Sequence, residues 1–180
     1  FVAQHFDVVP DIMVLGKALG GAMLPIAAMI ARPGLDVAAD LALGHYTHEK
    51  NPVTARTALA TIAIIEDEGL VENAAAVGAT ALRRLKAMKA AHPLIGDVSG
   101  LGLALGIELV NDRATKTPAN EAAERVMYRA LDKGLNFKVT MGNVLTLTPP
   151  LTIAGAEMDA ALDIVEDCIG EEESATARSG

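Results

Sequence analysis

Lys17 is the residue of this chain whose surroundings best suit covalent chemistry. It follows the apolar run Ile12-Met13-Val14-Leu15 and Gly16, and precedes Ala18-Leu19-Gly20-Gly21, so a buried strand is predicted to deliver one amine into a glycine-rich bend. A neutral amine attacks a carbonyl carbon to form a Schiff base, yet an ordinary lysine is neutral at pH 7 only about one time in a few thousand. A dry pocket favours the neutral form, and Lys17 is expected to occupy one. The alternative for a lone loop lysine is a solvated surface charge, because lysine is rarely buried unpaired. Two nucleotide motifs that glycine and lysine suggest do not fit. A P-loop would need glycine and a hydroxyl residue where Asp11 and Ala18 stand. Gly100, Gly102 and Gly106 are spaced one residue too far apart for a dinucleotide fingerprint, and Ile107-Glu108-Leu109 continues as strand where a helix should open.

The elements that must position Lys17 follow from periodicity. Ile12 to Leu15 and Ile26 to Ala31 are predicted as short buried strands. Asn51-Pro52 has the form of a helix start, and Ala55, Leu59, Ile62 and Ile65 continue one stripe until Gly69. A second helix is expected from Leu70 to Ala91, with Pro93 beyond it and Arg83, Arg84, Lys86 and Lys89 on a solvated face. Strands at Ile95 to Val98 and Leu103 to Val110 flank a glycine-rich corner, and a helix follows from Ala119 to Lys133. Leu135 to Val139 and Val144 to Thr148 suit strands joined by Met141-Gly142-Asn143, and a last helix covers Ala156 to Ile169. This alternation is an α/β signature, with a domain boundary expected near Gly69 and residues 173–180 expected as a disordered polar tail.

The 180 residues, 51% hydrophobic and 21% charged, describe a globular chain. A net charge of −8 argues against nucleic acid, which wants a basic face. The apolar stretch Ala18 to Ala31 has fourteen residues interrupted by glycines and Pro25, too short for a membrane span. The single cysteine, Cys168, among Ile164, Val165 and Ile169, suggests a packed core thiol in a reducing compartment, with the cytoplasm the expected location. His5, His45, His48 and His92 do not fall at metal-ligand spacing, so no metal site is expected, and Glu66-Asp67-Glu68 is expected as a solvated helix end. The chain opens with Phe1 rather than Met and has no signal-like segment, which suggests a piece of a longer polypeptide.

Four strings, in order, carry a resemblance. Pro10 to Pro25 resembles the lysine motif of the class III aminotransferases, fold-type I enzymes that use pyridoxal 5′-phosphate. Thr47-His48-Glu49-Lys50-Asn51-Pro52 is similar to that family's Thr-x-x-x-Asn-Pro turn, and Asp97 to Leu109 to its small-domain glycine stretch. Gly142 to Leu151, with its Pro149-Pro150-Leu151 ending, resembles the family's C-terminal strand. The resemblance implies the C-terminal part of such an enzyme: the end of the large cofactor-binding domain over residues 1–69 and a small α/β domain over residues 70–172. It makes Lys17 the Schiff-base lysine, later a proton carrier, and Thr47 a ligand of the cofactor phosphate, helped by the helix N-terminus at Pro52 and reaching across a homodimer interface. The residues that hold the pyridine ring and a second phosphate turn lie, in the family, upstream of the stretch that Phe1 to Phe6 resembles. The 180 residues alone are therefore expected to be inactive.

Two departures bear on substrate. Members acting on α-carboxylates commonly carry arginine three residues before the Pro-Pro pair, where a guanidinium grips the carboxylate. Thr146 stands there instead, which favours amines, ω-amino acids or neutral amides. The charged His48-Glu49-Lys50 replaces small residues, either as surface variation or as a rim beside a neighbouring subunit's cofactor. The same turn, with Thr146 to Thr152, also resembles the branch that racemises α-amino-ε-caprolactam. Amino-group transfer to a 2-oxo acid is the preferred expectation, and racemisation or epimerisation of an amino lactam or amino acid the alternative.

Overall fold

In the computed structural model, all residues except Ala39, Ala42, Leu43, His45, Tyr46, His48 and Gly180 are described. The chain divides into two compact units, Phe1–Glu68 and Gly69–Gly180.

The first unit contains strands β1 (Ile12–Leu15) and β2 (Ala28–Ala31) and helix α1 (Pro52–Asp67). The strands pair antiparallel, Ile12 opposite Ala31 and Leu15 opposite Ala28. Arg32 ties their open end, donating to the Val9 carbonyl at 2.8 Å and pairing with Asp11 at 3.1 Å. These strands were expected to be buried, and they are not: Val14 is 73% and Met29 69% exposed. A two-stranded ribbon has only one neighbour per strand, so its apolar runs lack the second layer that burial requires. Helix α1 starts as its sequence dictates. Asn51 accepts a hydrogen bond from the Val53 amide at 2.9 Å, Pro52 supplies the first helical residue, and Glu66, Asp67 and Glu68 end the helix in solvent.

The second unit begins at Gly69, whose φ of +61° turns the chain out of α1 and into α2 (Leu70–Ala91). Strands β3 (Ile95–Leu101), β4 (Ala104–Asp112), β5 (Thr117–Pro118), β6 (Lys138–Thr140) and β7 (Val144–Leu147) form an antiparallel sheet ordered β3-β4-β7-β6, with β5 on β4. Ile107, Leu109, Leu145 and Leu147 face the core, while Glu108, Val144 and Thr146 alternate onto the other face, half-buried. Helices α2 and α3 (Asn120–Asp132) pack on the sheet, and α4 (Gly155–Ser179) packs on both helices. The glycine-rich corner is a packing device. Gly102, at φ +56°, places its carbonyl against Gly78 of α2, leaving no room there for a Cβ. No helix among the described residues is long and apolar enough to cross a membrane.

Two expectations fail for one electrostatic reason. The tail over residues 173–180 was expected to be disordered, but α4 continues to Ser179, and Arg84, expected in solvent, clamps α4. Arg84 Nη2 meets Asp163 at 2.5 Å and Glu166 at 2.9 Å. Glu173 accepts from the Leu94 amide at 2.9 Å and lies 2.8 Å from His92 Nδ1. Glu172, 2% exposed, receives Arg125 at 2.7 Å and Arg129 at 2.5 Å. Periodicity counted these as polar positions; their partners come from distant sequence. Burial pushes the Glu172 carboxyl up, but the hydrogen bonds from Arg125 and Arg129 outweigh it and hold the group below its ordinary range. Cys168 is fully buried, and that burial raises its thiol pKa.

A group with a depressed folded-state pKa contributes stability that is present above its unfolded pKa and lost as pH falls through the folded value. Urea denaturation from pH 7 towards pH 3 is expected to show this loss, and Glu172→Gln, about 1–3 kcal/mol less stable at pH 7, is expected to flatten it. Arg125→Ala with Arg129→Ala strands a buried charge, and is expected to cost more, about 3–5 kcal/mol.

Candidate active site

Strand β1 hands the chain to Gly16, and the direction changes at Lys17, whose φ of +51° is left-handed. For a residue with a Cβ this conformation costs about 1–2 kcal/mol, so the bend is held by its surroundings. Residues Lys17–Gly20 form a 3₁₀ turn, closed by hydrogen bonds from the Leu19 amide to the Gly16 carbonyl at 3.2 Å and from the Gly21 amide to the Ala18 carbonyl at 2.9 Å. Gly20 is buried and Gly21, at φ +61°, lies against α1.

Lys17 borders an open hollow of about 400 Å³ with Pro25, Ile26 and Ala27. Within these 180 residues Lys17 is exposed, and the described residues that border the hollow with it are Pro25, Ile26 and Ala27. Its ammonium has no hydrogen-bond or ion-pair partner among the described residues. An amine without a competing carboxylate is free to act as a nucleophile once desolvated.

Thr47 lies in an exposed turn of the same compact unit, five residues before α1 begins, and is not among the described residues lining the Lys17 hollow. Of the neighbouring charged residues, Glu49 and Lys50 stand 3.9 Å apart, whereas His48, like His45, lies outside the described residues. The Asn51 cap leaves the α1 N-terminus with the partial positive charge that anions use.

In the second unit Thr146 shares a hydrogen bond with Thr140, their hydroxyl oxygens 2.7 Å apart. Lys138 lies directly opposite Thr146 on β6. Lys138, Thr146, Pro149 and Glu157 line a cleft of about 540 Å³. Thr140 and Lys138 were not singled out from sequence; the signal was their alternate spacing in the strand facing Thr146. Gly20, Gly21 and Thr61 were likewise missed as a group, since Thr61 is forty residues from Gly21 in the chain. No group of three or more His, Cys, Asp or Glu among the described residues could hold a metal.

A primary amine without a partner among the described residues, at a hollow lined by Pro25, Ile26 and Ala27, and a turn hydroxyl ahead of a capped helix, are residue types that fit a cofactor bearing a carbonyl and a phosphate. Known proteins point the same way. A family model described as aminotransferase class-III matches residues 1–169. The chain is 47% identical to the (R)-1-hydroxy-2-aminoethylphosphonate ammonia-lyase of Vibrio splendidus, over 95% of this chain and 36% of that protein. It is 43% identical to the leucine/methionine racemase of Thermococcus litoralis, over 96% of this chain and 39% of that protein. Among solved structures, the omega transaminase from Pseudomonas jessenii in complex with PMP superposes with a TM-score of 0.91 at 33% identity, covering 100% of this chain and 42% of that one. The chain thus spans less than half the length of the relatives it matches.

The 180 residues alone, titrated with pyridoxal 5′-phosphate at neutral pH, are expected to develop no stoichiometric visible absorbance band. Tight one-to-one binding would contradict the view that much of the pocket comes from outside this chain.

Proposed function

This chain belongs to the class-III aminotransferase family, whose enzymes depend on pyridoxal 5′-phosphate, and from that premise we propose that it is the C-terminal portion of a cytoplasmic, homodimeric aminotransferase of fold-type I. Residues 1–69 end the cofactor-binding large domain, and residues 70–172 form the body of the small domain. The reaction moves an amino group between an amine or ω-amino acid and a 2-oxo acid.

The observation that carries this reading is the Lys17 amine, without a partner among the described residues and held in a left-handed bend beside the hollow. When bound, the cofactor supplies a carbonyl for that amine and an electron sink for the substrate carbon. Lys17 Nζ would hold the cofactor covalently and, as a free amine, would move a proton at the substrate carbon. The Thr47 hydroxyl and backbone amide bind the phosphate of the neighbouring subunit's cofactor, assisted by the α1 N-terminus. Thr146 spends its hydroxyl on Thr140 and brings no guanidinium fork to grip a carboxylate bidentately, which supports substrates lacking an α-carboxylate; the cation on this cleft among the described residues is Lys138.

A second reading, racemisation or epimerisation, is favoured by the 43% identity to the leucine/methionine racemase, higher than the 33% to the omega transaminase. It shares proton removal by Lys17 but requires a second acid, or a water path, on the opposite face of the substrate carbon.

Two assays of the full-length enzyme divide these readings: an amine with a 2-oxo acid, and a single-enantiomer amino lactam in deuterated water. Amino transfer without inversion is the expected result. Deuterium-labelled inversion without a 2-oxo acid supports the second reading, and ammonia release with neither contradicts both. In either case Lys17→Ala is expected to abolish the visible absorbance of the bound cofactor while leaving the circular dichroism of the fold unchanged.

A further inference from the structure

We infer that Gly21 and Thr61 are positioning residues for Lys17, forming a seat on α1 that fixes the bend from which the amine projects. This inference rests on the reading of Lys17 as the cofactor-binding amine.

The bend is gripped from two sides. On one side Gly20 is buried, and a Cβ there would lie 3.2 Å from Ile26 Cγ2, in the segment that lines the hollow. On the other side a Cβ at Gly21 would meet Thr61 Oγ1 at 2.8 Å, closer than real Cβ atoms come. Thr61 is fixed in turn: it is half-buried in the middle of α1, and its hydroxyl donates to the Thr57 carbonyl at 2.9 Å, which locks the rotamer that faces Gly21. The Gly21 amide donates back to Ala18 at 2.9 Å, and the Leu19 amide to Gly16 at 3.2 Å, so movement at Gly21 passes through a closed turn to Lys17. Lys17 already sits at φ +51°, a sparsely populated region with little room to absorb the shift in its own backbone. The displacement therefore goes into the position of the amine. A misplacement of about 1 Å in a reacting group lowers turnover about a hundredfold.

The seat predicts a pattern among four variants of the full-length enzyme, read as the pH midpoint of the bound cofactor's visible absorbance and as kcat. Gly21→Ala is expected to move the midpoint by about half a unit or more, through a changed environment at the amine, and to lower kcat about ten- to a hundredfold. Adding Thr61→Ala removes the obstructing oxygen and is expected to restore most of the midpoint. Adding Thr61→Ser keeps that oxygen and is expected to restore nothing. Both double variants retain the strain of a Cβ in the left-handed region, so their difference isolates the contact with α1. If Gly21→Ala does not fold, Thr61→Leu thickens the seat from the helix side and is expected to move the same midpoint. An unmoved midpoint in the folded variant, or equal midpoints in the two doubles, overturns the inference. Visible absorbance that survives Lys17→Ala overturns the reading beneath it instead, whatever Gly21 does.

Discussion

An amine serves carbonyl chemistry only where the chain holds it still and leaves its nitrogen bare. Lys17 meets the second condition through the lack of any carboxylate partner among the described residues, and the first through two glycines. Gly20 and Gly21 let backbone approach Ile26 and Thr61 where side chains would keep it away. The close approach of the bend to α1 in turn depends on α1 starting on time, and Asn51 and Pro52 set that start. A cap, a helix and a pair of glycines thus act together on one nitrogen.

The second unit solves a different problem by charge. Its sheet buries aliphatic residues on one face, and its long final helix buries Met158, Leu162, Val165 and Ile169 while its acidic side chains face arginines of α2 and α3. Arg84, Arg125 and Arg129 meet those carboxylates. Arginine suits the task because its planar fork binds carboxylate from a partly exposed position. The sheet's other face carries the Thr140–Thr146 pair, where hydroxyls bond to each other, with Lys138 opposite Thr146 on the same cleft.

Much of this was legible in the chain. Gly69 and Pro93 bracket a predicted helix from Leu70 to Ala91, and α2 occupies those residues, because start and stop signals there are local. Strand β1 coincides with its apolar run for the same reason. Burial was not legible. Ile12 to Leu15 has the composition of a buried strand, yet composition records what a segment can bury against and says nothing of whether a second layer is present. The tail failed similarly, since a polar run was counted as solvated when its first residue, Glu173, had partners in His92 and the Leu94 amide. For the site, the residue types and their order marked Lys17 and Thr47, whereas the Thr61 seat depends on a contact forty residues away and leaves no trace in spacing.

The central claim is that one particular nitrogen forms the covalent bond to the cofactor. Borohydride reduction of the full-length holoenzyme, followed by proteolysis and mass spectrometry of the peptides, tests it directly. The account predicts a pyridoxyl group on the peptide containing Val14-Leu15-Gly16-Lys17 and on no other lysine peptide. A pyridoxyl group on Lys50, Lys138 or any other lysine, with Lys17 unmodified, would contradict it.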